Sequence, residues 1–450
     1  MKNSTQWLVS LMAACTQTAL GSGFIEDSKI DLNLRNFYFN NDNRESQRQI
    51  GHKAYAGQHE EWGQAFILSA NSGFTQGTVG FGLDALGMFG MRLDGGGSAD
   101  KSGINRTPGQ LFPLDSDGSV VENFSRLGLT AKAKVAQTEV RYGTLQPRMP
   151  ILVSNDGRLL PQTFEGTQLT SRDIDNLTLT AGLIEQVMGR SSSDHTGLAV
   201  SGGSQESNHL WFSGADWAIK PGLQAQYYFA NLDDYYRQHF VGLTQQWSIS
   251  DEQNLKLDLR YFRTTADGAN ASASGRATGF RVNGYTEDGQ GEIDNHTWSV
   301  AMTHSYGAHT LLMGYQQVSD KSAFVQANQG SLDNDKGAGG ASVYLLTDRQ
   351  LHNFTRAGER TTFAEYSHDF ADLGLPGLKA SVAYLRGTHI QQISGGGQQE
   401  WERDFRLDYT LQSGLFKGVN LSWRNASLRS QTVANTDQNR FITSYSIPLL

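Results

Sequence analysis

Basic side chains fall at alternate positions within several apolar runs of the chain. Lys132 and Lys134 interleave with Leu127, Leu129, Ala131, Ala133 and Val135. Lys256 and Arg260 interleave with Leu255, Leu257, Leu259 and Tyr261, and Arg406 lies between Phe405 and Leu407. Arg424 follows Trp423 in the same way, and Arg35 and Arg141 occupy equivalent positions. A guanidinium presents a planar fork that matches the two oxygens of a carboxylate. Several moderate sites in a row would pass an anion along, whereas one deep site would trap it. That chemistry is binding and release, with no bond made or broken. The 11 histidines are scattered, His304 and His309 merely span a turn, and no nucleophile–base motif is legible. The spacing therefore predicts no enzyme, no metal and no cofactor.

Period two places the basic and apolar sets on opposite faces of strands. Composition agrees. The chain has 450 residues with 50 Gly, 8 Pro and 1 Cys; charged residues are 18% and mean hydropathy is −0.45. Its polarity thus comes from Ser, Thr, Asn, Gln and Gly, which suits strands with one polar face joined by glycine-rich turns. No apolar run approaches the 18 or so residues of a membrane helix. The formal charge of −8 suggests no nucleic-acid partner.

Residues 1–21 read as an export signal: Lys2 is a positive start, Trp7 to Ala14 a short apolar core, and Ala19-Leu20-Gly21 a small-residue cleavage site. The box Met12 to Cys15 also resembles a lipoprotein signal, but Cys15 lies early and the residues after it differ from a tether. Residues 22–450 then form one domain. Its segments are joined alternately by tight turns, such as Lys220-Pro221-Gly222, and by long polar loops near 41–60, 91–122, 147–163, 189–206, 265–293, 319–359 and 389–398. Short turns on one rim and long loops on the other predict an all-β transmembrane antiparallel barrel of about 18 strands, apolar toward lipid and polar toward the lumen. Such a barrel has a wide lumen unless loops fold in. The loops near 147–163 and 319–359 are the candidates. The first carries three of the prolines, and both are too apolar for water.

Several segments are similar to the OprD family of substrate-specific porins. They include Gly23 to Lys29, Leu34 to Tyr38, Glu61-Trp62-Gly63-Gln64, Thr75 to Ala85, Asn155 to Phe164, Tyr235 to Phe240, Ala338 to Gly340, Leu375 to Leu378 and Trp423 to Ser427. The resemblance spans essentially the whole mature chain. It implies an outer-membrane channel of a Gram-negative bacterium with a narrow eyelet and a ladder of basic side chains. Residues 40–44, 155–158, 233–236 and 400–404 look closer to the OpdK (OccK) branch, which prefers cyclic or aromatic carboxylates such as benzoate. The rival is the branch that prefers basic amino acids and admits carbapenems, and Ala341 stands where that branch tends to carry an acid.

The resemblance adds Arg44, Arg158, Arg190 and Arg403 as ladder or eyelet positions, with Asp156 as an acid opposing Arg158. Arg403 is in conflict: alternation gives it the face of Trp401 and Phe405. Against all these roles stands a plainer one, in which lumen charges only pair with neighbours and fill space. The implied partners are small carboxylates, outer-membrane lipid and lipopolysaccharide, and the barrel assembly machinery, with the channel a monomer or a weak oligomer. A barrel enzyme or a plugged structural barrel are the readings from other classes.

Overall fold

A computed structural model describes residues 23–50, 53–95, 106, 108–327, 342–393 and 395–450, with backbone alone at 45–50 and 53–56. The export signal, its Cys15 and Ala338 to Ala341 lie outside the described residues. The main sheet has 19 members, one being the two-residue strand His195–Thr196. The other 18 form the barrel. In chain order they are β1 (Lys29–Ile50), β2 (Lys53–Asn71), β3 (Gly80–Asp94), β4 (Asn123–Val135), β5 (Thr138–Leu145), β6 (Thr163–Ile174), β7 (Leu177–Met188), β8 (Leu210–Lys220) and β9 (Leu223–Leu232). They continue with β10 (Tyr236–Ser248), β11 (Gln253–Ala266), β12 (Asp294–Tyr306), β13 (His309–Val318), β14 (Arg360–Asp369), β15 (Leu378–Ile390), β16 (Gln398–Thr410), β17 (Asn420–Ser430) and β18 (Thr436–Pro448). Each pairs antiparallel with its sequence neighbours. β18 closes on β1 from Asp31↔Pro448 to Asn43↔Thr436, so no edge is left open.

The alternation in the sequence becomes inside and outside. Leu127, Leu129, Phe81, Leu83, Trp217 and Tyr142 stand at least half exposed on the outer wall, where lipid would cover them. On β12, Trp298, Met302 and Tyr306 share that face. The two aromatics lie about 27 Å apart along the strand, which suits girdles flanking an apolar band. One expected loop is corrected. Residues 41–50 and 53–60 continue the β1–β2 ladder as far as Ile50↔Lys53, so they extend the two strands.

The described residues of both loops expected to fold inward do so. In residues 147–162, Ile151, Leu152, Leu159 and Leu160 are fully buried. The strands Arg148–Met149 and Leu152–Val153 pair into a small hairpin, and Val153 bridges to Ser342 of the second loop. That loop buries Val343 and Leu345. A third inward loop, before β4, adds to the two expected; it buries Leu111, Phe112 and Val120. Gly63 makes room for two of the three loops, because a Cβ there would lie 2.7 Å from Phe112 Cζ and 2.8 Å from Leu159 Cδ2.

Candidate functional site

Wall charges hold the loops by their backbone. Buried Glu61 accepts hydrogen bonds from the amides of Gly109, Gln110 and Leu111. Glu402 accepts from Leu351 N and His352 N, both at 2.9 Å. Arg126 donates to the carbonyls of Pro161 at 2.9 Å and of Gly189 and Arg190 at 2.7 Å. Arg35 grips the tip of the first loop, binding Asp156 with both Nη atoms at 2.7 and 3.0 Å and donating to Arg158 O at 2.9 Å. Buried backbone groups need such partners, and charged partners make the stronger bonds.

The loops and the wall enclose a cavity of about 1490 Å³. Seven arginines line it (148, 158, 190, 349, 356, 424 and 440) against three carboxylates, Asp156, Asp348 and Glu400. The chain as a whole is acidic, with 45 Asp and Glu against 37 Lys and Arg, so the lumen reverses the sign of the protein. Register explains part of this. Arg406, Arg424, Arg440 and Phe39 are consecutive partners across β16, β17, β18 and β1, forming a slanted file on the inner wall. Arg158 stacks on Phe39 at 4.6 Å.

Arg158, Arg190 and Arg440 converge on the loop tip. Gly157 O accepts from Arg158 Nη1 at 3.0 Å and Arg440 Nη1 at 3.5 Å. A Cβ on Gly157 would stand 3.4 Å from Arg190 Nη1 and 3.8 Å from Arg440 Nη1. Arg440 further donates to Gln438 and to Gln350 O. Among the described residues neither Arg158, Arg424 nor Arg440 has a carboxylate partner within ion-pair distance. Withdrawal from bulk water pushes the Arg158 guanidinium down to about 10, and it lowers Arg190 well below the ordinary range with Arg158 adding to the effect. A guanidinium at about 10 still carries its charge at neutral pH.

Below this cavity is another, of about 490 Å³, toward the short-turn rim. Arg148 lines both. Its side chain is exposed and has no ion pair among the described residues, so it stands at the junction of the two chambers.

The expected site residues fall in several different settings. Lys132 is buried, pairs with Asp84 at 2.6 Å and donates to Ser72 O, which makes it a strut. Arg260 is clamped by Asp258 at 2.8 and 3.0 Å and stacks on Tyr344 at 4.2 Å, so it holds the second loop to the wall. Arg141 and Arg406 face the lumen but are neutralised by Glu139 and Asp408, each at 2.5 Å. Arg44 pairs with Asp437 at the outer rim. Arg403 points outward, as alternation implies, and donates to Asn425 and Ser427. Arg158, Arg190, Arg424 and Asp156 do line the main cavity. Arg148 and Arg440 are lining residues that sequence reasoning missed. Arg440 had a signal, since Phe441, Tyr445 and Ile447 fix the opposite face of β18; Arg148 sits in a loop without periodicity.

Replacing Lys132 with methionine is expected to separate strut from site. Breaking a buried ion pair should cost about 3 kcal/mol in urea unfolding, while ion selectivity stays unchanged. Asp348 supplies a pH test. Burial raises its carboxyl to about 6, so it is roughly 90% ionised at pH 7 and roughly 10% at pH 5. Acidification therefore removes a negative charge from the lining, and anion preference should rise from pH 7 to pH 5. Asp348→Asn should show the higher preference at both.

A closed antiparallel barrel with an apolar belt, long loops on one rim and a charged internal constriction is an outer-membrane porin of a Gram-negative bacterium. The chain belongs to the OprD family: the model for "outer membrane porin, OprD family" matches residues 22–449. Porin D of Pseudomonas aeruginosa is 32% identical over 99% of this chain and 96% of its own length. Among solved structures, OccK8 (OprE) of P. aeruginosa is 46% identical with TM-score 0.85, covering 95% of this chain and 100% of its own. OpdK of P. aeruginosa, solved with vanillate, is 34% identical with TM-score 0.78 over 95% of this chain and 100% of its own.

Proposed function

We infer that this porin takes up small carboxylates, with cyclic or aromatic acids such as benzoate preferred. The observation that carries the reading is the guanidinium cluster around Gly157. Two like charges about 7 Å apart at an effective dielectric near 20 repel by about 2 kcal/mol. An anionic solute relieves that repulsion and a cation adds to it. Tyr285, Tyr344, Phe324 and Phe354 line the same cavity and offer apolar surface to a ring. OpdK, related to this chain throughout, was solved with an aromatic acid.

A channel for basic amino acids would need the lining carboxylates instead. Two of the three are already held, Asp156 by Arg35 and Glu400 by Arg356. Arg148 and Arg424, by contrast, have no ion-pair partner among the described residues. The test is the reversal potential of the purified channel in a bilayer under a KCl gradient. Chloride permeability should exceed that of potassium at pH 7; potassium preference would overturn the reading.

A further inference from the structure

The outer wall carries a second basic cluster, turned away from the lumen. On β16, Glu400, Glu402 and Asp404 point inward and Arg403 outward. Arg386 of β15 is paired with Trp401, two residues above Arg403, and Arg360 of β14 is paired with Thr388, two residues above Arg386. Diagonal neighbours of this kind lie about 7 to 8 Å apart. Arg360, Arg386 and Arg403 therefore form an oblique file across three adjacent strands. All three are exposed, and among the described residues none has an ion pair. They lie at the strand ends that adjoin the long loops, opposite the rim where both termini and the short turns meet. Tyr384 and Trp401 stack at 5.9 Å in their midst. Immediately beneath are Val382 and Phe405, paired with each other in the apolar band.

Aromatic girdles mark the depth at which hydrocarbon gives way to head groups. Charge at that depth meets whatever anions the outer leaflet presents. Elsewhere on this face charge is neutralised in place: Arg429 and Arg44 share Asp437, and Arg237 holds Asp267. The file of three is not. Two of its members are also held ready. Arg403 Nη2 donates to Asn425 at 2.7 Å and Ser427 at 3.1 Å, and Arg386 Nη2 donates to Gln399 at 3.1 Å. Each guanidinium has five N–H donors, so its remaining donors face outward with the side chain already fixed.

We propose that Arg360, Arg386 and Arg403 form a binding site for the phosphorylated head group of an outer-leaflet glycolipid, lipid A in chemical class. Forked donors suit phosphate oxygens, and clustered basic residues at a membrane surface bind anionic head groups. The aromatic pair and the band below would receive the acyl chains. The contradictory signals at Arg403 then have a cause: it is basic for a ligand outside the barrel.

The test is native mass spectrometry of the full-length channel in detergent, offered bisphosphorylated lipid A, the same lipid stripped of phosphate, or inorganic phosphate. The phosphorylated lipid should bind at a concentration at least about tenfold lower than the stripped one. Inorganic phosphate at the lipid's concentration should not displace it. The variant R360Q/R386Q/R403Q should lose the preference while its conductance is unchanged. Equal binding of the stripped lipid, displacement by inorganic phosphate, or full preference in the variant would each overturn the proposal. The wild-type arms and the single variant R386Q decide it should the triple variant fail to fold.

Discussion

Replacing Arg440 with alanine is expected to weaken benzoate binding in the channel by about tenfold, equivalent to about 1.4 kcal/mol. Arg440 completes the cluster around Gly157 and also donates to Gln350 O at 2.8 Å, so it sets both the charge and the position of the second loop. A single close ion pair is worth about 4 kcal/mol at an effective dielectric near 20. Arg158 and Arg190 remain and recover much of that, which is why the expected loss is smaller than one full pair. Arg440→Lys keeps the charge and loses the fork, so it should fall between the wild type and alanine. Benzoate block of single-channel current reads all three. An alanine variant with wild-type block would remove Arg440 from the site.

Deleting residues 151–160 is expected to raise single-channel conductance roughly threefold and to abolish preference between benzoate and neutral solutes. A barrel of this strand number is wide when empty, and this loop supplies Asp156, Gly157 and Arg158 to the constriction. The deletion also removes Ile151, Leu152, Leu159 and Leu160, all fully buried, so thermal stability should fall alongside. Gly63→Leu is a milder version. Its side chain would collide with Phe112 and Leu159, lifting two loops without removing them. Unchanged conductance in the deletion would mean that the constriction lies elsewhere.

The barrel was legible in the chain because a period of two is local. The strand read at 177–188 matches β7, and the apolar faces of β4 and β11 were visible one residue at a time. The site was legible only in part. Alternation gives the face of a side chain and says nothing of its partner. Lys132 and Arg424 look alike in sequence, yet Asp84 neutralises the first, and the second has no carboxylate partner among the described residues. Ion pairs such as Arg35–Asp156 join residues more than a hundred positions apart, and no local pattern encodes them. Arg148 depends on where an irregular loop comes to rest, which the wall carboxylates and arginines decide.

Uptake of benzoate against arginine into proteoliposomes tests the carboxylate reading most directly. With purified channel and equal external concentrations at pH 7, benzoate should enter faster. Faster entry of arginine would contradict it and assign the channel to basic amino acids.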